Sequence, residues 1–93
     1  MSRTADQILT EAANLIAERG KERDKPGGER SMAATVAAFN ALTGHQLTEV
    51  DGWHIMELLK MALSHGGCYR QDDYDDKVRY AALATEAAEK LAQ

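Results

Sequence analysis

Apolar residues recur at helical spacing in four stretches of the chain, separated by short runs of glycine, charged and turn-forming residues. In the first stretch Ile8, Ala12, Leu15 and Ile16 mark one face, and Thr4 with Gln7 three residues on has the form of a capping box. Gly20 offers a C-terminal stop. From Gly20 to Gly28 the chain reads Gly-Lys-Glu-Arg-Asp-Lys-Pro-Gly-Gly, with no apolar member to anchor it, and a mobile loop is expected at 20–28. Ser31 then stands where it can cap a second helix running to about Leu42. That helix carries Met32, Val36 and Phe39 on one face and Ala34, Ala38 and Ala41 on the other, and Gly44 ends it.

Thr48, with Asp51 three residues later, opens a third helix from Val50 to Leu63 that is apolar over most of its circumference, so it is expected to be the central one. His65-Gly66-Gly67 breaks the chain. Asp72 or Asp73 is placed to cap a fourth helix reaching nearly to Gln93. At 100° per residue, Tyr74, Val78, Ala81, Thr85 and Ala88 form one stripe on it, and Tyr80, Leu83, Ala84, Ala87 and Leu91 form another. A helix apolar on two faces needs two sets of neighbours, which three short helices hardly supply. The expected fold class is therefore all-α: a single domain, 1–93, built as a compact bundle of four helices with short loops and completed by a two-fold homodimer.

Composition narrows the function. A chain of 93 residues supports one modest core. Eleven basic residues against fifteen acidic ones give a net charge of −4, and the basic ones are spread along the chain, which disfavours general nucleic-acid binding. One cysteine, Cys68, excludes an internal disulfide framework and fits a reducing compartment. No apolar run approaches the roughly 20 residues of a membrane span, and the N-terminus does not read as a signal peptide, so the expected location is the cytoplasm, without membrane attachment.

The most concentrated chemistry is the acidic run Asp72, Asp73, Asp75 and Asp76. Asp73 and Asp75 have i,i+4 partners in Lys77 and Arg79, as Glu86 has in Lys90, which suffices for a solvated face. Asp72 and Asp76 are each other's i,i+4 neighbour, and that like-charge pairing needs an offset. The helix dipole is one. A divalent cation held by Asp72, Asp76 and Glu57 is a second, since Mg²⁺ takes one or two carboxylates and completes its octahedron with water and ligand phosphate oxygens. An ion pair to Arg30 or Lys60, closing the fold or the dimer, is a third.

Glu57 and Lys60 share a face with Trp53 and Met61, which reads either as an ion pair over an apolar ledge or as a phosphate site in which Lys60 neutralises charge. Trp53 or Tyr74 could then stack on a base. Arg23, Lys25 and Arg30, beside Gly27 and Gly28, form the other candidate anion site, although neither standard nucleotide loop is present. His45, His54, His65 and Cys68 lack the spacing of a zinc site or of a cysteine nucleophile with its base, and no zinc is expected.

The run from Arg23 to Met32, Asp51-Gly52-Trp53 with Lys60, and Asp72-Asp73-Tyr74-Asp75-Asp76 with Tyr80 together resemble a domain of unknown function common in tailed phages and prophages. More loosely, the chain resembles the all-helical MazG-like nucleotide pyrophosphohydrolases, whose Glu-x-x-Glu and Glu-x-x-Asp pairs on successive helices bind Mg²⁺. This chain has Glu57-x-x-Lys60 in place of the first pair. The resemblance implies a phage-type protein in the host cytoplasm that binds a nucleotide or another phosphorylated small molecule, with Mg²⁺-dependent pyrophosphohydrolysis as its catalytic form. The alternative is a non-catalytic interaction module, such as an inhibitor of a host defence protein.

Overall fold

The computed structural model describes residues 2–22 and 31–93. These residues form four helices and no strand: α1 (Ala5–Glu22), α2 (Met32–Thr43), α3 (Glu49–Ser64) and α4 (Gln71–Ala92). The chain divides into two compact units, Met1–Arg30, which contains α1, and Ser31–Gln93, which contains the other three helices. No described helix is long and apolar enough to cross a membrane.

In the first unit the expected capping box is made. The Thr4 N–H donates to Gln7 Oε1 at 2.9 Å, and the Gln7 N–H donates to Thr4 Oγ1 at 3.4 Å. The Thr4 hydroxyl also donates to Asp6, and that hydrogen bond holds the Asp6 carboxyl below its ordinary value. Gly20 does not stop the helix, which continues to Glu22. One glycine costs a helix only about 1 kcal/mol, and Lys21 prolongs the basic last turn that favours the helix C-terminus. The rest of the expected loop lies outside the described residues.

In the second unit α3 runs along α4, and α2 packs against α3. Met32 and Val36 from α2, Trp53 from α3, and Leu83, Ala84 and Ala87 from α4 are the buried apolar side chains. The α2–α3 approach is set by Gly52, because a Cβ there would lie 2.4 Å from Met32 Sδ and 2.9 Å from Val36 Cγ1. Methionine can swing aside. Valine, branched at Cβ and held in a helix, cannot. Gly52→Ala should therefore destabilise by about 1 to 2 kcal/mol despite alanine's better helix propensity, since overpacking costs about 1 to 3 kcal/mol. A urea titration in which the alanine variant is the more stable would show that α2 yields freely.

The connection between these two helices is pinned by a residue that periodicity does not single out. The Asn40 amide donates to the Leu47 carbonyl and accepts from the Leu47 N–H, both at 2.9 Å. Gly44, with φ +77°, ends α2 by donating its N–H to the Asn40 carbonyl, and Thr48 with Asp51 starts α3 through a complete capping box. The other two expected caps are not made. Ser31 is itself in helical conformation and makes no side-chain cap bond, while its carbonyl accepts from Thr35. α4 begins at Gln71, one residue before the first aspartate, so Arg70 is the N-cap residue and Asp72 and Asp73 lie within the first turn.

Candidate functional site

Two helical turns of α4 face the C-terminal half of α3, and the ionisable groups between them decide what this corner can do. Asp76 is the hub. Lys60 Nζ of α3 lies 2.8 Å from Asp76 Oδ2, and the Arg79 guanidinium, one turn along α4, bonds Asp76 Oδ1. Both carboxylate oxygens are thus engaged by cations. Arg79 is 1% exposed, and its guanidinium lies over the Tyr80 ring, 5.5 Å from the centroid. The other side of this row is Trp53, stacked on Tyr80 at 5.5 Å.

Burial alone would raise the Asp76 carboxyl, but the bonds from Lys60 and Arg79 outweigh it and hold the group below its ordinary value. The Asp76 bond in turn holds the Lys60 ammonium above its ordinary value, against a smaller opposing effect of burial. A depressed folded carboxyl contributes stability that is present above the unfolded value of 3.8 and is lost as pH falls through the folded value. The raised lysine contributes stability present below 10.5 and lost as pH rises through its folded value. Thermal unfolding followed from pH 5 downward, a window of about the usual carboxylate width, should therefore show a steeper loss in the wild type than in Asp76→Asn. Parallel curves would assign the acid sensitivity elsewhere.

The like-charge pairing of Asp72 with Asp76 is offset by Lys60 and Arg79, the internal ion pair expected of a fold-closing residue. The Glu57–Lys60 pair is not made, because Lys60 reaches across to α4. Glu57 has His54 Nε2 at 3.9 Å instead. The Asp73–Lys77 pair is also not made. Asp73 is buried, and Lys77 lies over Tyr74, 5.5 Å from its centroid. Asp75 accepts from Gln71 Nε2 at 3.1 Å, and Glu86 lies 3.9 Å from Lys90 as expected.

Among the described residues no three His, Cys, Asp or Glu side chains gather to hold a metal ion, so Glu57, Asp72 and Asp76 do not form a cation site together. A cation at Asp76 would have to displace both bonded side chains. These residues do not fit Mg²⁺. Trp53, 4% exposed and stacked on Tyr80, is core and offers no face to a base. Tyr74 is accessible and stacks on the exposed Tyr69 at 5.6 Å. Arg23, Lys25 and Arg30 lie outside the described residues.

Beside the Asp76 hub the structure opens a hollow of about 320 Å³, lined by Lys60, Leu63, Gly66, Arg70, Asp72 and Asp73. It lies where α4 begins, and Arg70 gives that end no side-chain cap bond. Lys60 and Asp72 were legible as site residues from sequence. Arg70 and Asp73 were not, since one lies in a loop and the other has a ready i,i+4 partner; their position around the corner depends on the turn at 65–70.

No curated protein and no solved structure matches the chain. Residues 7–88 match a family described as a domain of unknown function, DUF6378. That match spans nearly the whole sequence, and the chain belongs to this family.

Proposed function

We propose that this domain binds a small anionic ligand, of the phosphorylated class, at the α3–α4 corner. One observation carries the reading: Lys60 and Arg70 converge on one hollow at the start of a 22-residue helix. The first-turn N–H groups of such a helix favour negative charge, and the ammonium of Lys60 has three donors, of which the bond to Asp76 uses one. Tyr69 and Tyr74, stacked and accessible next to Arg70 and Asp73 in the chain, add an aromatic surface suited to a nucleotide base.

Nucleotide hydrolysis would need a metal site or a free general base, and the carboxylate placed best for either, Asp76, is bonded to two cations. A thermal-shift screen with inorganic phosphate, pyrophosphate and nucleoside triphosphates tests the reading. A ligand at about 100 times its dissociation constant adds about 2.7 kcal/mol of stability. Arg70→Ala, an exposed loop substitution, should remove that shift and leave the unliganded melting temperature unchanged. No shift with any of these anions sinks the reading.

A second reading, a protein-interaction module, has its own observation. Ile55, Leu58, Leu59 and Leu63 recur at i, i+3, i+4 and i+8 on α3 and are exposed, Leu58 to 60%. An apolar seam of this spacing is what a partner helix takes, whether from a second copy in a homodimer or from a host protein. Light scattering on the wild type and on Leu58→Glu tests self-association. A monomer in both removes the homodimer.

A further inference from the structure

The outward side of α3 is apolar without interruption. Ile55, Leu58, Leu59, Met61 and Leu63 are each between 44% and 60% exposed, while the opposite side of the helix buries Gly52 and Trp53. From His54 to His65 every exposed residue is apolar or a histidine. The two charged residues of that stretch, Glu57 and Lys60, are partly buried, and Lys60 is bonded to Asp76 of α4. At 100° per residue Ile55, Leu58, Leu59 and Ala62 fall within about 100° of arc, the width of a packed helix face. Single exposed leucines are ordinary on a surface. About three turns of them without one carboxylate, ammonium or guanidinium among them are not.

Charge decides what such a face can meet. The whole chain carries −4, so two copies repel each other in most approaches. A strip without Asp, Glu, Lys or Arg is where that repulsion is least, and a two-fold contact, in which a patch meets itself, tolerates no unpaired charge near its axis. A foreign protein is oriented by complementary charges, and this strip offers none along its length.

The polar groups at its two ends set the direction. Asp51 is partly buried in the first turn of α3, where Oδ2 accepts the Thr48 N–H, and His65 is the exposed C-cap residue. At 1.5 Å per residue they stand about 21 Å apart along the axis, on the same side of the helix as the apolar strip. A parallel copy would set Asp51 against the partner's Asp51. An antiparallel copy sets each Asp51 against the partner's His65 and places the two helix dipoles head to tail. It also sets Ile55 against the partner's Ala62, so that a large side chain meets a small one.

We infer that the exposed face of α3 pairs with the same face of a second copy, antiparallel about a two-fold axis between Leu58 and Leu59. This rests on the interaction reading of that face and names its partner.

Sedimentation equilibrium of the full chain over a concentration series tests the pairing, and exposed positions on the strip test its direction. The wild type should be a dimer. Ile55→Glu and Ala62→Lys, each alone, put a charge against an apolar partner residue and should raise the dissociation constant by about tenfold or more. Combined in one chain, they should restore it to within a few-fold of the wild type, because each introduced carboxylate then meets an introduced ammonium of the partner. In a parallel pair, like charges would meet and the double variant would dissociate more readily than either single one. All three variants should keep the wild-type helical signal. A double variant that stays dissociated overturns the antiparallel register. A wild type that is monomeric throughout overturns self-pairing and leaves the interaction reading to a different protein. A dimer that none of the substitutions weakens is held by another surface, and the interaction reading of α3 falls with the proposal.

Discussion

Asp76→Ala is expected to lower the unfolding free energy by about 3 kcal/mol, the lower end of the cost of removing one member of a buried ion pair, because Arg79 is buried while Asp76 and Lys60 are partly exposed. The size follows from where the partners are. Arg79 is 1% exposed and Lys60 is largely shielded, so losing the carboxylate removes the partner that both cations share in the α3–α4 seam. The Glu86–Lys90 pair on the same helix is exposed and 3.9 Å apart, and its loss should cost about 0.5 kcal/mol or less. With total stabilities of about 5 to 15 kcal/mol for small domains, the first change approaches unfolding and the second is near the limit of measurement. Urea denaturation of the two variants gives the comparison directly. A loss below about 1 kcal/mol for Asp76→Ala would mean that water reaches the pair and that the hub is a surface feature. The triple replacement of Lys60, Asp76 and Arg79 by apolar residues of similar volume should recover most of the loss, because the damage comes from the charges left behind and not from the missing pair.

The helices were legible because their signals are local. Thr4 with Gln7, Thr48 with Asp51, and Gly44 each act within one turn, and each does in the structure what its spacing predicts. The caps that were misjudged, Ser31 and the aspartates of α4, failed for a reason local chemistry does not contain: where the preceding turn releases the chain. The site was less legible, since Lys60 has two acids to choose from. Glu57 is three residues away on its own helix and Asp76 is on another, and only the packing of α3 on α4 decides for Asp76. That packing also buries Arg79, which its i,i+4 spacing from Asp75 places on a solvated face. The sequence of α3 is apolar over most of its circumference. Its exposed Ile55, Leu58 and Leu59 show that α2 and α4 do not cover all of it.

Trp53 carries the other large effect, and its substitution separates architecture from ligand binding. As a core residue, 4% exposed and stacked on Tyr80, it should cost about 3 to 5 kcal/mol when cut to alanine. Much of that is the void left in the core, and the remainder is the lost support of the Tyr80 ring over which Arg79 lies. Trp53→Phe keeps a ring in contact with Tyr80 and should cost clearly less, with the helical signal and a cooperative urea transition preserved. If Trp53 were instead a stacking platform for a base, the alanine variant would stay folded with near wild-type stability and lose only ligand affinity. A Trp53→Ala protein that unfolds at wild-type denaturant concentrations would remove the indole from the core. The burial of this side chain, on the same seam as Lys60, Asp76 and Arg79, predicts the opposite: its loss loosens the α3–α4 packing that positions the hollow, so any ligand effect should follow stability and vanish in the phenylalanine variant.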